Sequence, residues 1–154
     1  MTTTQSILCA VRGGSPSEYA VTRAIDLTLE NGGRLTFFHV MTADFVEHAT
    51  VVPLQLVYQE LRDLSKFMLE RLCDQAQQHG IPEVNYEIRQ GNIRQQLRQF
   101  ALETDGSILV LGTPIRGLGR TIFTPKELRT FTEELVTAGK TRVIVAASKL
   151  DSTP

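Results

Sequence analysis

Two stretches of this chain bring glycine and arginine together as an anion site requires. The first is VRGGSPSEYA, residues 11–20. It continues the apolar run SILCAV (6–11) and passes through Gly13-Gly14 into Ser15-Pro16-Ser17-Glu18. A strand that leaves through glycines into a helix offers its backbone N–H groups to a phosphate, and Arg12 lies beside that turn. The same residues also make a plain strand-to-helix corner, with Ser15 spent on the helix cap. Taken alone they favour the corner. The second stretch is GTPIRGLGRT, residues 112–121. Arg116 and Arg120 are able to neutralise phosphate, and Arg12 would converge on them from a neighbouring strand end. An ordinary solvated loop also carries arginines, and the residues weigh the two readings evenly. The spacing Gly112-x4-Gly117 lacks the Lys-Ser/Thr pair of a P-loop.

Other chemistry has little to build on. There is no Gly-x-Ser-x-Gly elbow. Cys9 lies in the run SILCAV and Cys73 in an apolar-patterned segment, so both read as reduced, buried thiols. His39, His48 and His79 lack metal-ligand spacing to one another or to cysteine, and no metal site is expected. Asp44, Glu47 and His48 fall in an irregular stretch and read as solvated loop side chains. No catalytic residue is assigned.

These residues need elements to position them. The chain has 154 residues, 42% hydrophobic and 21% charged, with a formal net charge of −1. That length buries roughly 70% of the unfolded surface, which suits a single domain over residues 1–154. The charge balance gives no basic surface for nucleic acid. No apolar segment approaches the ~20 residues of a membrane span. MTTTQSILCAV does not have the form of a signal peptide, so a cytoplasmic protein is expected.

The pattern alternates between short apolar runs and amphipathic segments. SILCAV (6–11), RLTFFHV (34–40), SILVLG (107–112) and TRVIVAA (141–147) read as strands, SILCAV and SILVLG as continuous apolar runs of buried strands. VNYEIR (84–89) reads as a strand with one polar face, near a sheet edge. Ser15-Pro16-Ser17-Glu18 and Thr124-Pro125-Lys126-Glu127 are capping boxes with proline at the first helical position. The first helix buries Ala20, Ala24 and Leu27, flanked by Val21 and Ile25, and stops at Asn31-Gly32-Gly33. A long helix from about Pro53 to Gln78 carries Val57, Leu61, Leu64, Met68 and Leu72 as its core stripe and ends at His79-Gly80-Ile81-Pro82. Gly91-Asn92 caps a short helix with Ile93, Leu97, Phe100 and Ala101 inward. The last helix buries Leu128, Phe131 and Leu135 and ends at Gly139. Residues 41–52 are irregular, and the tail SKLDSTP reads as frayed. The order β-α-β-α-β-α-β-α-β makes a parallel sheet covered on both faces. Ligands of such sheets bind beyond the carboxyl ends of the strands, near the topological switch point. The loops Arg12–Ser15 and Thr113–Phe123 leave strands at that end.

In order and spacing, ILCAVRGGSPSEYAVTRAIDLTLENGGRLTFFHV, GNIRQQLRQFALETDGSILVLGT and GKTRVIVA together resemble the universal stress proteins of the adenine-nucleotide α-hydrolase-like superfamily. The resemblance runs from about Ser6 to Ala147. It implies a Rossmann-like, open five-stranded sheet of order 3-2-1-4-5 with helices on both faces. It implies a stress-response or regulatory role, and a homodimer formed largely through the last strand, Thr141 to Ala147. An apolar strand such as RVIVAA at a sheet edge needs pairing or covering on physical grounds as well. A histidine at the position of His39 commonly serves structure in this family.

Many members bind ATP. Their first strand typically ends in an aspartate near the adenine, and here that position is Arg12. Binders also carry G-x2-G-x9-G-[ST] after the fourth strand. Counted without gaps from Gly112, this chain has Ile115 for the second glycine and Pro125-Lys126 for the final pair. Counted back from the last strand with an insertion, Gly119 takes the second glycine and Arg129-Thr130 the final pair. Neither count restores the motif, so the ATP signature reads as degenerate. The first functional reading is therefore a homodimeric regulatory protein without efficient catalysis. The second is a switch that binds ATP, another adenine nucleotide or a simpler anion. Its candidate residues are Arg12, Gly13, Gly14, Val40, Gly112, Thr113, Arg116, Gly117, Gly119, Arg120 and Thr130. Val40 enters because the resemblance sets adenine contacts near the end of the second strand. A slow nucleotide hydrolase is the third.

Overall fold

The computed structural model of the chain describes residues 5–12, 15–41, 54–104, 107–112, 125–139 and 141–146. Five strands, β1 (Ser6–Ala10), β2 (Arg34–Met41), β3 (Val84–Gln90), β4 (Ile108–Gly112) and β5 (Arg142–Ala146), alternate with four helices. The helices are α1 (Ser15–Asn31), α2 (Leu54–Gln78), α3 (Ile93–Glu103) and α4 (Pro125–Gly139). All strand pairings are parallel, and the sheet order is β3-β2-β1-β4-β5. The expected α/β architecture and strand order are both present. Element ends differ from the sequence reading by a residue or so. The irregular stretch after Met41, the loop 113–124 and the tail lie outside the described residues.

Alternation along the strands sorts the core into two layers. Ile7, Cys9, Leu35 and Phe37 meet Ala20, Ala24 and Leu27 of α1 and Leu69 and Ala76 of α2. Leu8, Phe38, Leu109 and Leu111 meet Leu97 and Phe100 of α3 and Phe131 and Leu135 of α4. Adjacent Phe37 and Phe38 thus face opposite layers, each fully buried. At the entry to α3, Asn92 accepts a hydrogen bond from the Gln95 N–H at 3.0 Å, the cap that Gly91-Asn92 predicted.

One expectation is overturned. Leu64, placed on the core stripe of α2, is 68% exposed, as is Phe67 at 63%. The buried face runs instead through Ser65, Leu69 and Ala76, with Met68, Leu72 and Cys73 partly buried against the core. A run with leucine at 61, 64 and 72 and methionine at 68 fits a helical stripe on paper. Ser65 and Ala76 are small enough to let α2 approach β2 and β3 closely, and the face they define lies on the opposite side from Phe67.

Candidate functional site

The sheet order brings the carboxyl ends of β1, β2 and β4 side by side. The chain switches direction between β1 and β4, with β2 and β3 on one side and β5 on the other. β1 leaves the sheet under close control. The Val11 N–H donates to the Phe38 carbonyl at 2.8 Å. The Val11 carbonyl accepts from His39 Nδ1 at 2.7 Å. A carbonyl only accepts, so Nδ1 carries the proton. The structural role expected of His39 is thereby explicit: it ties the peptide before Arg12 to β2.

Arg12 follows this clamp and is exposed. Desolvation lowers its pKa from the usual arginine value, yet an arginine remains a cation throughout the working pH range. Val40 is buried one residue before the end of β2. Gly112 ends β4 and pairs with Ala146 of β5. Arg12, Val40 and Gly112 thus stand at the ends of three adjacent strands. Gly13, Gly14, Thr113, Ile115, Arg116, Gly117, Gly119 and Arg120 lie outside the described residues, as do Asp44, Glu47 and His48.

Thr130 sits within α4, where its hydroxyl donates to the Lys126 carbonyl at 3.1 Å. It lines a groove of about 340 Å³ between α3 and α4, together with Arg94, Arg98 and Phe131. Neither Arg12, Val40 nor Gly112 lines that groove. Ion pairs cross it, Arg94 with Glu127 and Arg98 with Glu134 at 3.6 Å. Pro125 is the first residue of α4.

A second cluster had only a faint signal in the sequence. Arg89 of β3 bonds Glu87 at 2.7 Å and Glu103 of α3 at 2.5 Å. Its guanidinium lies 5.7 Å from the Phe38 ring centre and 5.0 Å from that of Phe100, and the two rings stack at 4.3 Å. The bond to Glu103 leads in raising the Arg89 pKa. The polar face expected of VNYEIR therefore caps an aromatic pair. Both cysteines are free thiols. Burial pushes Cys9 far above the ordinary thiol range. Burial, then the charges of Asp74 and Glu70, push Cys73 up to about 11. Neither is a nucleophile at neutral pH. Among the described residues no group of three or more His, Cys, Asp or Glu is arranged to hold a metal ion, and no helix is long and apolar enough to cross a membrane.

An open parallel sheet whose order reverses between β1 and β4 defines a doubly wound α/β protein. The universal stress protein family model matches residues 3–145, and the chain belongs to that family. No curated protein matches. Among solved structures, one from the universal stress protein family of Burkholderia pseudomallei is 16% identical, with a TM-score of 0.66 over 92% of this chain and 94% of that one. A universal stress protein solved in complex with cAMP is 17% identical, with a TM-score of 0.58 over 96% and 100%. An Arabidopsis thaliana family member solved with AMP bound is 20% identical, with a TM-score of 0.54 over 97% and 95%. At these identities the likeness is one of fold.

Proposed function

We propose that the protein is a cytoplasmic, homodimeric regulator of the universal stress type, acting in the stress response without holding ATP as the nucleotide-binding members do. The carrying observation is a pair of residues, one after β1 and one at the start of α4. Arg12 follows β1 where binders carry an adenine-reading carboxylate. Pro125 opens α4, where the ungapped count sets the Gly-Ser/Thr pair. Proline has no N–H, so the first donor of that helix end is missing. The dimer is supported by β5, an edge strand whose Val145 is 38% exposed, with Val143 and Ile144 half-buried.

Melting temperatures with millimolar Mg-ATP, ADP, AMP and sulfate test nucleotide binding. A ligand at 100 times its dissociation constant adds about 2.7 kcal/mol, a shift of roughly 5–11 °C at this size. No shift with ATP is expected. Val145→Lys should halve the sedimentation mass of the β5 dimer, and an unchanged mass would remove that interface.

A second reading is favoured by Arg12 itself, an exposed cation at the switch point of a fold whose relatives include structures with cAMP and AMP. In that reading Arg12, Gly13, Gly14, Val40, Gly112, Arg116 and Arg120 hold an adenine nucleotide or an anion. A shift with AMP that Arg12→Ala abolishes would establish it.

A further inference from the structure

Among the described residues, the outward face of α2 carries a seam with no partner. Glu60, Leu64, Phe67 and Arg71 are all exposed, Leu64 by 68% and Phe67 by 63%. Their spacing of four, three and four residues sets them within an arc of roughly 60° on the helix. It is the alternation of a coiled-coil seam. Among the described residues, neither Glu60 nor Arg71 has an ion-pair partner.

The order along the seam is acidic, apolar, apolar, basic, and it is self-complementary under one operation. A twofold axis across the helix between residues 65 and 66 runs two copies of α2 antiparallel. Leu64 of each copy then lies level with Phe67 of the other, and Glu60 level with Arg71, each pair occurring twice. A parallel pair would set like charge against like. The next layer outward pairs Val57 with Asp74, which is not complementary, so the contact is limited to four layers. A contact that small falls at or below the lower bound of specific interfaces, about 1,200 Å², and is weak.

We propose that α2 docks antiparallel on α2 of a second copy, forming a self-association interface separate from the β5 edge. The seam lies on the outer surface of the α1–α2 layer, away from the sheet edge of β5. Two isologous interfaces on one chain build a closed four-copy assembly or an open filament, depending on how their axes meet.

Sedimentation of the full chain from about 10 μM to 1 mM tests this. The mass should double across that range. Leu64→Ser with Phe67→Ser should weaken the doubling at least about tenfold. Glu60→Arg alone and Arg71→Glu alone each bring two like-charge contacts into the interface and should weaken it by about tenfold. Both reversals together restore opposite charges and should return the affinity to within about threefold of the original. All four positions are exposed, so the variants should retain the parent far-UV spectrum. Val145→Lys separates the interfaces. If it changes no mass while the doubling persists, the β5 dimer fails and the α2 interface stands. No doubling up to 1 mM would overturn the proposal. So would doubling that ignores the Leu64/Phe67 variant, or two reversals no better than one. Lost protection of residues 42–53 from protease in the apolar variant, with the mass unchanged, would assign the face to that segment instead and equally overturn it.

Discussion

Gly33→Ala tests the packing that sets the whole sheet in register. A Cβ built on Gly33 would lie 1.9 Å from the Gln5 carbonyl oxygen and 2.9 Å from its carbon. Both are backbone atoms, so no side chain can swing aside, and the strands must part by more than an ångström. The Gln5 oxygen also accepts the Arg34 N–H at 3.0 Å, at the start of the β1–β2 ladder. Overpacking of this kind costs about 1–3 kcal/mol, and the strained hydrogen bond about 1 kcal/mol more. Reduced freedom of the unfolded chain returns about 0.4–1 kcal/mol. The net is a loss of about 1–3.6 kcal/mol, or roughly 2–14 °C in melting temperature. Gly32→Ala is the control. Gly32 has φ +66° but open space around its Cβ position, so alanine there meets only the left-handed backbone cost of about 1–2 kcal/mol, with the same entropic return. Urea unfolding of both variants, followed by circular dichroism, gives the comparison. A loss at Gly33 no larger than that at Gly32 would refute the close approach of β1 and β2.

Two further outcomes follow from the side chains. Arg89→Ala should destabilise by about 1–3 kcal/mol in urea, because it removes two charge-assisted bonds and a cation over stacked rings. Arg89→Lys should recover only part, since an ammonium cannot bridge Glu87 and Glu103 while lying flat on the rings. The thiols set an alkaline limit. Folding raises the Cys73 pKa to about 11 and moves Cys9 in the same direction. Above the thiol's ordinary pKa the unfolded chain loses protons that the native state keeps, so stability should fall as pH rises from about 9 towards 11. Cys9→Ala with Cys73→Ala should flatten that fall in urea titrations. An unchanged slope would show that the thiols are not the cause.

Much of the fold was legible because its signals are local. Pro125 with Glu127, and Ser15 with Glu18, mark helix starts, and the runs ILC and ILVL mark strands buried on both faces. The strand order was not local. It came with the family resemblance, since no spacing within the chain fixes which strand lies beside β1. The face of α2 was misassigned because a large Leu64 outweighs a small Ser65 in any hydrophobic count, whereas close helix–sheet packing favours the small residue. At the site, Arg12 and Gly112 were placed by their positions at strand ends. The Arg89 cluster was missed because its partners, Phe38, Phe100 and Glu103, lie far apart in sequence and meet only across the β2–β3–α3 packing.

The central proposal is that this chain, with Arg12 after β1 and Pro125 at the start of α4, does not hold ATP as binders of this family do. Calorimetric titration of Mg-ATP into the protein tests it most directly. The account predicts no saturable heat at nucleotide concentrations up to about 1 mM, a binding free energy weaker than about −4 kcal/mol. A stoichiometric isotherm with a Kd near 1 μM, about −8 kcal/mol, would contradict it and show that the arginines have taken over the role of the missing motif.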